Sequence, residues 1–420
     1  MRLSKYLLSL FCLFVFFSDE LFGCYMAATG TALQSGMKSK MAIAIAAIAF
    51  ILFVFDFFNN NIKRQNWNEL FYLALVLVLY FITGLIYPHS TGNYDRYSAY
   101  LLMYGAMCVP AAYIGIRLAR ERVGEELVRL MPYFVLFVSL VTFYLVISSS
   151  LAGSVLRSDE NGTFSYQSAS YYLAFCYSYC FFYVFLKHKD KSGGIYEIAK
   201  KCIMFVFLIF CGIGCLLGGG RGAFVYIVVA TVYLLYRLFK LRRRYYFLTI
   251  ILLIVASIAI LFLSSRYHVL QSAGFTRVAE SLTTDYNRFT SWKLGLHAFW
   301  RSPVIGNGLG SVWWTIGYYS HNIFVDLLSE TGLIGTMIFV SVILRILKVL
   351  IKKSYYSNAD LFYLLLFLGH ISECLFSGYW LASPTLFFAF GYVFALPKSL
   401  RSFGKRHLIE PHTGCSCQSN

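Results

Sequence analysis

The sequence predicts an all-α polytopic membrane protein of about twelve transmembrane helices, with one long extracytoplasmic loop that carries amphipathic helix. Three observations predict it. Of 420 residues, 59% are hydrophobic and only 13% are charged, where a soluble domain is nearer a quarter charged, roughly. The apolar residues come in runs long enough to cross a bilayer core, which takes roughly 20 residues per helix. The basic residues behind the formal net charge of +17 sit in short clusters between those runs. Loops that face anionic lipid are distributed this way; a nucleic-acid face is not. A soluble enzyme, a secreted disulfide scaffold and a disordered chain are excluded.

The apolar runs place spans at 6–24, 41–58, 67–87, 97–117, 128–148, 166–186, 200–218, 222–239, 245–264, 323–344, 359–377 and 381–396. Ser18-Asp19-Glu20 interrupts the first run. Without a clear small-residue cleavage site, a true span is favoured there over a signal peptide. With the amino terminus inside, Lys and Arg gather on the inner side at Arg2 and Lys5, Lys63 and Arg64, 117–129, 187–201, 237–244, 345–353 and 398–406. The positive-inside rule then puts both termini in the cytoplasm of an inner-membrane protein. Residues 1–199 hold spans one to six, and 200–344 form a core that includes the loop 265–322. Residues 345–396 hold the last spans, and 397–420 form a cytoplasmic tail. Cys108, Cys176, Cys180, Cys202, Cys211, Cys215 and Cys374 lie inside apolar runs without metal-type spacing and read as packing residues. Cys415 and Cys417, in the polar tail, have no such reading.

The basic residues outside the rule are the informative ones. Arg221 stands in a Gly218-Gly219-Gly220-Arg221-Gly222 turn between spans seven and eight, and Arg266, Arg277, Arg288, Lys293 and Arg301 stand in the long loop against Glu280 and Asp285. Either these charges are tolerated in a solvated loop or they face an anion at the outer surface. Within the loop, Phe289, Trp292, Leu296, Phe299 and Trp300 recur at helical spacing over 286–300, which predicts an amphipathic helix lying on the bundle or in the headgroup layer. It ends at Arg301-Ser302-Pro303, and Gly306, Gly308 and Gly310 make the following turn, too far from a strand–helix junction for a nucleotide loop.

Ser320-His321-Asn322 precedes the tenth span, with Ser320 or Asn322 as its N-cap and His321 at the membrane surface beside a helix N-terminus that favours anions. Asp326 and Glu330 follow in the first turns of that span, where unpaired carboxylates are costly; each could orient a histidine or pair with an arginine. Asp19, Glu20, Asp95, Arg96, Arg157, Asp159 and Glu160 read as solvated outer residues within reach of sugars. His370 and Glu373, at i and i+3 in span eleven, read as a hydrogen-bonded pair, since no third metal ligand is evident. No metal site and no cofactor are expected.

Three segments together resemble a known family. Gly218-Gly219-Gly220-Arg221-Gly222-Ala223-Phe224 is similar to the turn of the O-antigen ligase and polysaccharide polymerase superfamily. Arg288, Trp292 and Phe299 followed by Ser302-Pro303, Gly306, Gly308 and Gly310 resemble its central loop motif. His321-Asn322, Asp326, Glu330, Gly332 and Gly335 resemble its closing motif. The likeness spans roughly residues 200–340; the first half is similar in hydropathy alone.

The resemblance implies a C-type glycosyltransferase-like helical bundle whose extracytoplasmic loop covers a lipid-facing cavity. It implies a donor glycan on undecaprenyl diphosphate, attacked by an acceptor hydroxyl with inversion and without a metal. By motif match Arg221 and Arg288 take diphosphate-binding positions and His321 that of the essential histidine; all three are expected to be catalytic. Arg266, Arg277, Lys293, Arg301, Asn322 and Glu330 are expected to bind substrate beside them. The chemistry agrees. Cleaving a glycosyl–phosphate bond builds charge on the departing diphosphate, which guanidinium meets bidentately, and a base working near neutrality is what histidine supplies.

The expected partners are the carrier-linked donor, a carrier-linked or lipid A-core acceptor, membrane lipids and a chain-length regulator, with no nucleic acid. A repeat-unit polymerase is favoured over a ligase acting on lipid A-core, the motifs being common to both. A lipid-linked oligosaccharide flippase is the alternative from another class. It would spread charge through several span interiors, whereas here the cations gather at one surface.

Overall fold

The computed structural model describes residues 2–17, 21, 37–58, 67–86, 93–121, 124–151, 166–187, 194–241, 246–247, 249–251 and 286–396. Among them the elements are helical: α1 (Arg2–Phe16), α2 (Met37–Phe58), α3 (Trp67–Ile86), α4 (Asn93–Met103), a π-helical turn (Tyr104–Cys108), α5 (Val109–Glu121), α6 (Gly124–Leu151) and α7 (Tyr166–Phe181), which ends in a second π turn (Phe182–Leu186). Then come α8 (Ile195–Gly218), α9 (Arg221–Leu241), α10 (Tyr286–Arg301), the short α11 (Val312–Thr315), α12 (Ile323–Ser354), α13 (Asn358–Phe376), a 3-10 turn (Trp380–Ala382) and α14 (Pro384–Ala395). The described parts of the expected spans fall mainly on helix; in the first span α1 ends at Phe16, and residues 18–20, residues 22–24 and most of 245–264 lie outside the described residues. Among the described residues 7 helices are long and apolar enough to cross a membrane, and the apolar helices at 6–16, 42–56, 74–86 and 384–395 are shorter. The chain is an all-α polytopic membrane protein.

Burial sorts these helices by position. The span at 167–186 is 83% buried and forms the centre of the bundle, whereas the span at 323–354 is 17% buried and stands at its rim. Close approach depends on small residues, as expected where lipid gives no hydrophobic drive between helices. A Cβ at Gly115 of α5 would strike the Phe388 and Tyr392 backbone of α14, and one at Gly391 of α14 would strike Ala112 of α5. Charges inside the spans are paired: Asp56 accepts from the Tyr113 hydroxyl and lies 3.7 Å from Arg117 Nε, while Asp360 accepts from Tyr392 and lies 3.7 Å from Lys353 Nζ. Cys108, Cys176, Cys180, Cys211, Cys215 and Cys374 are buried free thiols, and Cys202 is exposed. Residues 397–420, with Cys415 and Cys417, lie outside the described residues.

The expected span 323–344 is only part of α12, which runs on through Arg345, Lys348, Lys352 and Lys353 to Ser354. Long basic side chains let the last turns leave the apolar layer while their stems still cover it. α12 is also broken, at Gly332 (φ 62°, ψ −164°). A break strands backbone groups that lipid cannot satisfy, at several kcal/mol each, roughly. The glycine turn after α10 takes them up. Asn307 N and Gly308 N donate to the carbonyls of Ser329 (3.0 Å) and Glu330 (2.9 Å), while Leu333 N and Ile334 N donate to those of Pro303 (2.9 Å) and Val304 (3.2 Å). The contact requires glycine on both sides, since a Cβ at Gly332 would lie 2.6 Å from Gly306 N and one at Gly306 (φ 75°) would strike the Glu330 backbone.

Candidate functional site

Arg221 owes its position to the turn before it. α8 stops at Gly219, whose left-handed φ of 77° lets its N–H return to the Leu216 carbonyl at 3.3 Å. Gly220 N then donates to Ser170 Oγ of α7 at 3.2 Å, and Arg221 opens α9. The guanidinium is thus carried on a helix N-terminus, where dipole and free N–H groups already favour an anion. Gly222, next in the chain, packs against the Tyr171 hydroxyl and Phe376.

Arg288 is brought in by α10. Trp292 Nε1 donates to the Ser320 carbonyl at 3.0 Å. Arg288 stands one turn earlier on the same helical face, in the neighbourhood of Tyr171. The expected amphipathic helix exists, but its buried face differs from the expected one. Gly295, Ala298 and Phe299 are buried, while Phe289 (63% exposed), Trp300 (72%) and Leu296 (41%) point outward. Close packing decides this: a Cβ at Gly295 would lie 2.5 Å from Val325 Cγ1, so α10 sits on α12 through its smallest residues and turns two large rings outward.

His321 is held from three sides. It is the non-glycine residue with positive φ (59°) among the described residues. Its Nδ1 lies 3.3 Å from the Ser377 carbonyl oxygen, and its ring centre lies 4.5 Å from Tyr319 and 5.2 Å from Tyr318. The Tyr319 hydroxyl donates to the same carbonyl at 2.9 Å. Burial pushes the Tyr319 phenol well above its ordinary range, so it stays a donor. Asn322 is the N-cap of α12, its Oδ1 accepting from Phe324 N (3.0 Å) and Val325 N (3.4 Å). Asp326 Oδ1 accepts from Ser320 N at 2.8 Å, closing the loop from below.

These pieces meet at the end of α13. Tyr171 donates to the Ser372 carbonyl at 3.3 Å, with Glu373, Ser377 and Arg288 in its neighbourhood. Glu373 also acts electrostatically on Tyr319, beside His321. His370 Nδ1 and Glu373 Oε2 lie 3.1 Å apart, the expected pair. Ser377 N and Gly378 N both donate to the Glu373 carbonyl at 2.7 Å, turning the chain so that Ser377 faces His321. Tyr171, Glu373 and Ser377 had no place in the expected site. A carboxylate within a span was the available signal for Glu373; nothing local marks Tyr171 among so many tyrosines.

The other expected substrate residues are placed differently. Lys293 and Arg301 are exposed, off the Arg288–Trp292 face. Asn322 spends its side-chain oxygen on the cap. Glu330 is 1% exposed, and its partners replace the arginine or histidine expected: Oε1 accepts from Gly310 N (3.0 Å) and the Tyr379 hydroxyl (2.6 Å), and Oε2 from Trp380 Nε1 (3.1 Å). It braces the glycine turn. Asp95 is exposed in the first turn of α4, while Arg266, Arg277, Asp19, Glu20, Arg157, Asp159 and Glu160 lie outside the described residues. Among the described residues no group of three or more His, Cys, Asp or Glu side chains is placed to hold a metal ion.

Residues 205–340 match the family model described as O-antigen ligase. This segment, about a third of the chain, is what is similar to the O-antigen ligase family. No curated protein matches the chain by sequence. The matched segment runs from α8 to the middle of α12 and contains Arg221, Arg288, His321 and the Gly306–Gly332 contact. Tyr171, Glu373 and Ser377, which complete the cluster, lie outside it. The matched segment supports a function of the O-antigen ligase or polymerase type in a membrane-bound protein.

Proposed function

We propose that this protein transfers a glycan from a polyprenyl diphosphate carrier to an acceptor hydroxyl, with the reaction centred between Arg221, Arg288 and His321. The observation that carries the reading is the convergence at the end of α13. The helix opened by Arg221 packs there through Gly222, Arg288 stands in the neighbourhood of Tyr171, and His321 rests on Ser377. In the proposed step the acceptor oxygen attacks the anomeric carbon as its proton passes to His321. The carbon–oxygen bond to phosphate breaks, and the carrier diphosphate leaves with the bonding pair. Arg221 and Arg288 meet the charge growing on it, and such fixed charge in a site poor in water is often the largest catalytic contribution. A carbonyl can only accept, so the Ser377 contact assigns the imidazole hydrogen to Nδ1 and makes Nε2 the basic nitrogen.

We take the acceptor to be a second carrier-linked repeat unit and the site to face outside the cytoplasm. The test is purified protein in nanodiscs given carrier-linked repeat unit alone, then with lipid A-core. A ladder from the donor alone is the expected result. A shift of the lipid A-core alone would make the protein a ligase, and no released carrier diphosphate in either arm would overturn the reading.

A further inference from the structure

α8 spans 24 residues, about 36 Å at roughly 1.5 Å per residue, so its start lies at the opposite surface of the bundle from Arg221. There the first turns of α6, the end of α7 and the first turns of α8 enclose a cavity of about 500 Å³. Two of its cations stand by carboxylates: Lys187 Nζ lies 3.9 Å from Glu197, and Arg129 lies 3.9 Å from Glu126 on the open side. Lys200 is held differently. Its ammonium lies 4.7 Å from the ring centres of both Tyr133 and Tyr196, whose hydroxyls are 3.0 Å apart. One ammonium and a hydrogen-bonded pair of phenols, one of whose O–H groups remains to donate, thus converge on one spot beside two further cations. Such a set of donors suits an oxyanion, which accepts several charge-assisted hydrogen bonds at once.

The surroundings select the carrier of that oxyanion. Ile195 and Ile198, on the same first turns of α8 as Tyr196, are 86% and 63% exposed. The clustering of Lys and Arg assigns this surface to the cytoplasmic leaflet, the anionic one. We propose that the cavity binds the phosphate of an anionic membrane phospholipid. The headgroup lies between Lys200, Tyr133 and Tyr196, and the acyl chains run along the exposed isoleucines. This site is separate from the proposed reaction and stands or falls without it.

The test is native mass spectrometry of the whole protein from mixed micelles of phosphatidylglycerol and phosphatidylcholine at equal concentration. Wild type should retain phosphatidylglycerol selectively. Lys200→Gln should lower that preference about fivefold, the weight of one basic residue near an anionic surface. Tyr133→Phe keeps the ring under Lys200 while removing one hydroxyl, and should lower it less without disturbing the fold. Lys240→Gln removes an exposed cation near the same surface and should leave it unchanged. Equal loss in the Lys200 and Lys240 variants, or none in either Lys200→Gln or Tyr133→Phe, would overturn the proposal. Inorganic phosphate displacing the lipid at equal concentration would assign the site to free phosphate and overturn the lipid reading.

Discussion

The Nδ1 atom of His321 faces the carbonyl oxygen of Ser377, 56 residues further along the chain, at 3.3 Å. The imidazole of one membrane-surface loop is thereby oriented by the backbone at the end of another helix. Orientation of this kind fixes a tautomer, which matters to a base and little to a residue that merely fills space.

His321→Asn is the cleanest test of that distinction. Asparagine accepts the left-handed backbone that His321 occupies, so the loop should keep its shape while the proposed base is lost. Turnover is expected to fall by about 10²–10⁴-fold, with the melting temperature unchanged. A variant within about threefold of wild type would remove the base from the scheme.

Arg221→Lys and Arg288→Lys keep the charge and lose the planar fork. Each is expected to cost about tenfold or more in turnover, with normal membrane insertion, because a point charge does not reproduce bidentate contact to phosphate. Chelation of divalent ions should leave the wild-type rate unchanged, because the proposed step meets the departing charge with two guanidiniums. Strong inhibition by chelator would assign that work to a metal instead.

Gly332→Ala should destabilise the protein by roughly 2–4 kcal/mol, read as a lower melting temperature in detergent. The added methyl meets the Val304 and Gly306 backbone, and the φ of 62° is unfavourable for alanine. Gly306→Ala strikes the same contact from the other side, so the double variant should lose less than the sum of the two.

Glu330→Gln tests whether the buried carboxylate is needed as an acceptor. All three of its partners are donors. An amide would turn one N–H group against another, at about 1–3 kcal/mol for a buried unsatisfied group. Thermal stability should fall by that amount in Glu330→Gln, and by less in Tyr379→Phe, which removes a single donor.

How far the sequence could reveal this molecule depended on whether a signal was local. Spans are local: a run of apolar residues must be helix once lipid denies the backbone any other partner. The N-cap at Asn322 and the glycines around Arg221 are local too. The face of α10 was legible in period and illegible in direction. Phe289, Leu296 and Trp300 dominate any apolar stripe, yet contact went to Gly295 and Ala298, whose advantage is smallness and shows only against Val325. Glu330 was recognisable as a costly carboxylate, but its donors Tyr379 and Trp380 come from another helix end. Ser377 enters through its backbone carbonyl, a group every residue carries, so no pattern of side chains could single it out.

The brace across the α12 break has a directional consequence for biosynthesis. Residues 303–308 are made before the stretch at 329–334 that they steady, so the helper stands ready when the client leaves the ribosome. For the Glu330 carboxylate the order is reversed, since Tyr379 and Trp380 are translated about fifty residues later. Until they arrive, α12 carries an acid with incomplete partners, so its first residence in the bilayer is provisional. In a nascent chain arrested short of Tyr379 a cysteine placed near Glu330 should react with a membrane-impermeant thiol reagent, and in one extended past α14 it should be protected.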